Sequence, residues 1–196
     1  MMFNTQNLGS YRVLPFIKKN TVGAEIGVWK GDTSVKFQSI GLKELHLVDP
    51  YKLSDEEKEK QRVKTRYATM VGGFHDQAFN TYYDNVYNSV KDKFKDNPEV
   101  ILHRTSSAEF WDSLDDGYLD WVYVDGDHNY EGCYFDLIQA TKKVKSGGFI
   151  FGDDYRNLEG KYGKGGVNKA VDQFVAEHPQ FNFKNLDGGQ IKIEVS

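Results

Sequence analysis

The sequence predicts an α/β protein built around a mostly parallel sheet. Short apolar runs alternate with helical stretches along most of the chain, which is typical of parallel strands joined by helices. Several of these runs end on an acidic residue that is followed by a turn. The last two runs are separated only by Asp187–Gly188–Gly189, a tight turn that predicts an antiparallel hairpin.

Length and composition indicate one packed domain over residues 1–196, since 39% of the residues are hydrophobic. The 25 basic residues face 29 acidic ones, so the chain is a poor candidate for binding nucleic acid. No uncharged apolar run approaches the roughly 18 residues that a membrane span needs, and the N-terminus has no continuous apolar core of a signal peptide. Cys133 is the only cysteine, so we expect no internal disulfide and a cytoplasmic protein.

The first half of the chain predicts helix, strand, helix and strand at 10–20, 22–28, 32–40 and 44–49. The two strands are apolar runs (VGAEIGV and ELHLVD) of the length of buried strands. A polar, charged and aromatic segment at 52–96 then interrupts the alternation. We interpret it as a helical insert above the sheet, either a lid or partner surface or a set of ordinary surface helices.

The second half predicts strands at 100–104, 119–125, 148–153, 181–185 and 190–195, with helices at 108–114, 129–144 and 167–177. The strand at 119–125 is rich in β-branched and aromatic residues. The helix at 129–144 shows one apolar face, and Ser146–Gly147–Gly148 is expected to end it. The result is a sheet of about seven strands.

Ligands of open α/β sheets bind beyond the carboxyl ends of the strands, so the residues there are the candidates for function. After the first strand, Gly27 would allow a sharp turn and Gly31 a close approach of a ligand to the backbone. This spacing is not the glycine pattern of dinucleotide-binding proteins, which disfavours NAD-dependent oxidoreduction. Asp49 ends the second strand, where an acid can accept the hydroxyls of a ribose or simply cap a helix.

The third strand is followed by small hydroxyl residues, among which Ser107 either reaches an adenine edge or caps the next helix. The fourth and fifth strands bring four acids and a histidine together: Asp125, Asp127, His128, Asp153 and Asp154. Burial of so many charges carries a desolvation cost that a purely structural role does not explain. Clustered oxygen ligands suit Mg²⁺ or a similar cation. Capping explains one of the acids, with Asp127 the best candidate.

Taken together these motifs resemble the class I S-adenosylmethionine-dependent methyltransferases, from Val22 onward. The residues EIGVWKGDTS are similar to the first motif of that superfamily, and LVDPY to its ribose-binding acid. The combination VDGDHNYEG, GGFIFGDDY and GVNKAVDQF is similar to the methyltransferase domain 24 group and to the macrocin-type O-methyltransferases of sugars. The resemblance implies a Rossmann-like three-layer sandwich with seven strands, the last inserted antiparallel.

The resemblance also implies roles for individual residues. S-adenosyl-L-methionine would be held by Glu25, Gly27, Gly31, Asp49, Ser107 and Asp125, and Mg²⁺ by Asp125, Asp153 and Asp154. The metal would hold an acceptor hydroxyl and lower its pKa, and His128 or Asp127 would remove the proton. S-adenosyl-L-homocysteine would be the product.

We therefore expect a methyltransferase acting on a hydroxyl of a small molecule, preferably a sugar, with a homodimer as a possible assembly. N-methylation on the same scaffold would not need the acids as a metal site. A non-catalytic cofactor-binding or scaffolding domain is the third hypothesis, in which the acids are structural.

Overall fold

The computed structural model describes residues 10–53, 71–73, 76–155 and 165–196. Seven strands form one sheet in the order β3-β2-β1-β4-β5-β7-β6. They are β1 (Val22–Ile26), β2 (Glu44–Val48), β3 (Val100–His103), β4 (Leu119–Val124), β5 (Val144–Gly152), β6 (Asn182–Asn185) and β7 (Ile191–Glu194). The first five strands run parallel, and β7 is antiparallel to both β5 and β6. The predicted fold class is confirmed.

Helices cover both faces of the sheet. The described residues contain α1 (Asp32–Gln38), α2 (Asp76–Lys93), α3 (Ser107–Ser113), α4 (Tyr130–Lys143) and α5 (Gly166–Glu177). Two short 3₁₀ turns, Ser10–Arg12 and Leu14–Phe16, replace the helix predicted at 10–20. Pro15 has no N–H to continue an α-helical bonding pattern, so the chain turns tightly there and becomes extended at Ile17. None of the helices in these ranges is long and apolar enough to cross a membrane.

The hydrophobic core has two halves because side chains alternate between the faces of each strand. In β4, Trp121 and Tyr123 face the half that is covered by the N-terminal turns, α1 and α2. Val122 and Val124 face the opposite half, which is covered by α3, α4 and α5. The sheet is therefore buried on both sides, as the near-continuous apolar strands predict.

Ser146, Gly147 and Gly148 do not end a helix as predicted, since α4 ends at Lys143 and β5 begins at Val144. They form a bulge within β5, because Leu119 pairs with Val144 whereas Trp121 already pairs with Phe149. Gly147 has a φ of 80°, and a Cβ at Gly148 would lie 2.5 Å from the Asp120 carbonyl oxygen. Only glycine fits this close packing of the bulge against β4.

A histidine pair joins β2 and β3 on the face covered by α3. Nδ1 of His46 lies 3.0 Å from Nε2 of His103, and Nε2 of His46 lies 3.5 Å from a carboxylate oxygen of Glu44. The Tyr118 hydroxyl donates to the same Glu44 oxygen. Burial lowers the pKa of His46, and burial together with the neighbouring His46 lowers the pKa of His103. The folded protein therefore favours neutral imidazoles at this place.

The histidine pair predicts a loss of stability in acid. A pKa lowered by folding leaves the contribution of a histidine intact above its unfolded value of about 6.5 and removes it as the pH falls through that value. We expect the thermal midpoint to fall between about pH 7 and about pH 5, and to fall less in His103→Gln, whose amide can still bond His46. His128 is present in both proteins, so its own titration cancels in the comparison. Equal pH slopes for the two proteins would contradict this account.

Candidate active site

The carboxyl ends of β1, β2, β4 and β5 lie along one edge of the sheet, and strained backbone is concentrated there. Trp29, Tyr51 and Asp154 have φ values of 47°, 46° and 58°. Side chains other than glycine rarely adopt this left-handed region, and each instance costs on the order of 1–2 kcal/mol. Such strain persists where surrounding contacts enforce it and is typical of functional sites. This edge is therefore the candidate active site.

Gly27 closes β1 against β4 at the centre of this edge. Its φ is 89°, and a Cβ there would lie 2.1 Å from the carbonyl oxygen of Asp125. The N–H of Asp125 donates to the Ile26 carbonyl at 2.8 Å. The glycine is thus required by the protein's own backbone, and its predicted contact with a cofactor stays a prediction. Gly31 also has a positive φ, 71°, and precedes α1.

Glu25 lies on β1 with only 1% of its surface exposed. The Ser34 hydroxyl on α1 donates to its carboxylate. Burial raises the pKa of Glu25 well above its usual value, and the bond from Ser34 opposes that effect only in part. In this structure Glu25 therefore connects β1 to α1, while its predicted role beside a methionine moiety is untested.

Asp49 ties the end of β2 to the loop that follows β1. Its Oδ2 accepts the N–H groups of Val28 at 3.1 Å and Trp29 at 2.8 Å, and its Oδ1 accepts the N–H of Tyr51 at 2.7 Å. A carboxylate has about four lone-pair sites, so these bonds leave one for a ligand hydroxyl. Asp49 thus fixes the backbone of the β1–α1 loop, and its roles as ribose acceptor or helix cap stay predictions.

Asp125, His128 and Asp154 form a cluster beyond β4 and β5. His128 Nε2 lies 2.8 Å from Oδ2 of Asp154 and 3.7 Å from Oδ1 of Asp125. One ligand atom from each residue lies within 4.8 Å of the other two, which is a spacing that a metal ion could bridge. The hydrogen bond to Asp154 raises the pKa of His128 against the opposing effect of burial. The imidazole remains half-exposed, so a ligand can reach it.

The other two acids of the predicted group make different contacts. Oδ1 of Asp127 accepts both the backbone and the side-chain N–H of Asn129 at 2.8 Å, but Asn129 is itself the N-cap of α4 and no side chain caps that helix, so Asp127 does not cap it as expected. Oδ1 of Asp153 accepts the Asp154 N–H at 2.7 Å and the Gln190 side chain, and its Oδ2 accepts the Tyr123 hydroxyl at 3.0 Å. His128 thus stands in the cluster where the sequence predicted Asp153. The roles of Asp127 as base and Asp153 as metal ligand stay predictions.

Ser107 is the first residue of α3, and the cap of that helix is Ser106. The Ser106 hydroxyl accepts the Glu109 N–H at 3.3 Å while Glu109 accepts the Ser106 N–H at 3.1 Å, which is a capping box. Ser107 instead contributes a hydrogen bond that lowers the pKa of Asp136, although burial raises that pKa overall. The predicted place of Ser107 beside an adenine stays a prediction.

Helix α2, which lies within the predicted 52–96 insert, packs against the same edge. The Trp29 indole N–H donates to the Tyr82 hydroxyl at 3.2 Å, and the Lys93 ammonium donates to the Lys30 carbonyl at 2.6 Å. Arg104, just beyond β3, forms an ion pair with Asp84 of the helix. Residues 54–70 and 74–75 lie outside the described residues, so the lid interpretation stays a prediction.

Comparisons with known proteins identify the family of this chain. A family model described as a methyltransferase domain matches residues 24–155, which is more than half of the chain. The chain therefore belongs to this methyltransferase-domain family. No curated protein matches the sequence.

Several solved structures with similar folds are described as methyltransferases or methylases. A candidate rRNA methylase from Clostridium thermocellum is 12% identical with a TM-score of 0.63, covering 100% of this chain and 98% of that chain. A candidate methyltransferase from Streptococcus mutans in complex with SAH is 13% identical with a TM-score of 0.60, covering 99% of each. An O-methyltransferase from Bacillus cereus, also in complex with SAH, is 13% identical with a TM-score of 0.58, covering 100% and 83%. At these identities the likeness establishes the fold alone.

The approach of β1 and β4 at Gly27 predicts an unequal response to two glycine substitutions. Gly41 has a similar φ of 84°, but a Cβ there would meet no atom within 4 Å. We expect Gly41→Ala to cost about 1–2 kcal/mol in urea unfolding, from backbone strain alone. Gly27→Ala should cost at least about 1 kcal/mol more, because the strands must also separate. Equal losses in both variants would show that the close contact is unimportant.

Proposed function

We propose that this protein transfers a methyl group from S-adenosylmethionine to a hydroxyl oxygen of a small molecule, with a sugar or glycosyl unit as the acceptor class and a divalent cation assisting. The observation that carries the proposal is the cluster of Asp125, His128 and Asp154 beside the Gly27 turn. Membership of the methyltransferase-domain family supports the reaction class. The SAH bound in two proteins of similar fold supports the choice of donor.

The loop after β1 fits an adenosyl donor. Asp49 holds the backbone of Val28 and Trp29 and retains one acceptor position for a ribose hydroxyl. Gly31 has no side chain, which allows the positive φ at which the loop turns into α1. When bound, the donor supplies a methyl group on a sulfonium, and the protein's part is to align an acceptor oxygen with it.

His128 is the base that this geometry favours. Its Nε2–H donating to Asp154 would leave Nδ1 as the acceptor nitrogen of the neutral ring. Nδ1 would take the proton of the acceptor hydroxyl as the oxygen attacks the methyl carbon, and the methyl–sulfur bond would break to leave S-adenosylhomocysteine. The carboxylates of Asp154 and Asp125 would stabilise the imidazolium that results, in line with the raised pKa of His128.

The donor set of the cluster fits a divalent cation. Two carboxylates suit Mg²⁺ or Mn²⁺, and an imidazole extends the choice towards transition metals. Such an ion would polarise the acceptor hydroxyl and lower its pKa. Asp125 and Asp154 would hold it, which leaves His128 either as a third ligand or as the base.

The cation proposal predicts opposite behaviour of two aspartates on neighbouring loops. Asp154→Asn should abolish the heat of Mg²⁺ binding in calorimetry, because the variant loses a charged ligand, while the affinity for SAH changes little. Asp127→Asn should keep the Mg²⁺ signal, since Asp127 is not a member of the cluster and its carboxylate accepts both N–H groups of Asn129. A collapse of SAH affinity in Asp154→Asn would instead assign this acid to the donor pocket or to the fold.

The ribose assignment predicts a loss of donor affinity in Asp49→Ala. Removal of the carboxylate takes away both the ligand contact and the bonds that shape the loop. We expect SAH to bind at least about tenfold more weakly, equivalent to about 1.4 kcal/mol. Asp32→Ala is the matched control, because Asp32 is the acid that follows the β1–α1 loop and its carboxylate pairs with Lys93. Unchanged affinity in Asp49→Ala would reject the assignment.

A further inference from the structure

Two side chains, one on β4 and one just before β7, hold the carboxylate of Asp153. The Tyr123 hydroxyl on β4 donates to its Oδ2 at 3.0 Å, and the Gln190 amide, just before β7, donates to its Oδ1. Both donors are fully buried. Charge-assisted bonds of this kind are stronger than bonds between neutral groups, so the carboxylate of Asp153 has one well-defined position.

The position of Asp153 determines the conformation of Asp154. Oδ1 of Asp153 also accepts the backbone N–H of Asp154 at 2.7 Å, and Asp154 has the unfavourable φ of 58°. A residue in this region needs support from its surroundings to remain there. The same conformation carries the carboxylate of Asp154 to 2.8 Å from His128.

We propose that Tyr123 and Gln190 are positioning residues that act through Asp153 to hold the carboxylate of Asp154 beside His128. The inference rests on the proposed role of Asp125, His128 and Asp154 in methyl transfer. Both residues donate to the carboxylate of Asp153, which also accepts the N–H of Asp154, so their effect reaches Asp154 through the backbone turn at 153–154. A carboxylate whose supporting bonds are lost is free to rotate away from its partner.

Gln190 is itself held rigidly by the C-terminal hairpin. Its N–H donates to the Asp187 carbonyl at 3.0 Å, and its carbonyl accepts the Leu186 N–H at 2.9 Å. The Tyr155 N–H donates to the Gly189 carbonyl at 2.9 Å, which joins the hairpin to the loop after β5. The hairpin lies beyond residues 24–155. Gln190 therefore belongs to a part of the chain that the family model does not match.

Burial of the Gln190 side chain has a desolvation cost that an apolar residue would not have. Its Oε1 is buried and has no hydrogen-bond partner among the described residues. A buried acceptor without a partner pays for desolvation without recovering it. The compensating feature is the amide N–H that Gln190 donates to Asp153, which a leucine of similar size cannot provide.

The test compares Tyr123→Phe and Gln190→Leu with a matched control, Tyr134→Phe. The control removes a tyrosine hydroxyl that donates to Glu177, between α4 and α5. NMR signals of the Asp154 amide and the His128 ring are recorded at one pH, with Asp154→Asn as the reference for a broken contact. We expect both test variants to move the His128 signals towards those of Asp154→Asn, and the control to leave them in place. Unmoved His128 signals in folded Tyr123→Phe and Gln190→Leu would overturn the proposal.

A second readout uses Mg²⁺ alone as the probe. Loss of groups that orient metal ligands typically weakens metal affinity 10–100-fold, and we expect about that range for Gln190→Leu with SAH affinity unchanged. The effect should vanish when Gln190→Leu is added to Asp153→Ala, because both act through one group. Additive losses would mean that Gln190 acts on the site independently of Asp153, which would overturn the proposal. If the unmodified protein takes up no Mg²⁺, the cation part of the proposed function fails, and the His128 signals still decide the positioning role.

Discussion

The contact between the backbones of β1 and β4 at Gly27 is the constraint on which the rest of the site depends. The two strands end so close together that a single methyl group at Gly27 would meet the Asp125 carbonyl at 2.1 Å. This approach places Asp125 at the middle of the sheet edge, with the β1–α1 loop on one side of it and β5 on the other. His128 and Asp154 then reach it from the loops that follow β4 and β5. A wider separation of the strands would move Asp125 away from His128 and Asp154. It would also open the loop that follows β1.

Several local features of this sheet edge are energetically unfavourable by themselves. Trp29, Tyr51 and Asp154 have positive φ, and Glu25 is buried with a raised pKa. Each is stabilised by a specific bond rather than by apolar packing alone, such as the Trp29 N–H that donates to Asp49. Sites that must present polar groups to a ligand commonly retain such strain, because the relaxed conformation would turn those groups away.

The sequence predicts the fold well because the fold depends on local signals. Alternating strands and helices define the sheet, and acids placed at strand ends must meet at its carboxyl edge. The deviations arise where distant residues decide. Nothing near Asp153 indicates that Tyr123 and Gln190 will engage its carboxylate and leave His128 to complete the cluster. Likewise, the bulge in β5 depends on the packing of Gly148 against β4, which a run of serine and glycine does not reveal.

The most direct test of the account is calorimetric titration of the unmodified protein with SAH, with NAD as the comparison ligand. The account predicts saturable, micromolar binding of SAH with one molecule per chain and no heat from NAD. The loop after β1 lacks the glycine spacing of dinucleotide-binding proteins, and its backbone is bonded by Asp49, the acid that follows β2. Absence of SAH binding, or binding of NAD in its place, would contradict the assignment of the sheet edge as a methyl-donor site.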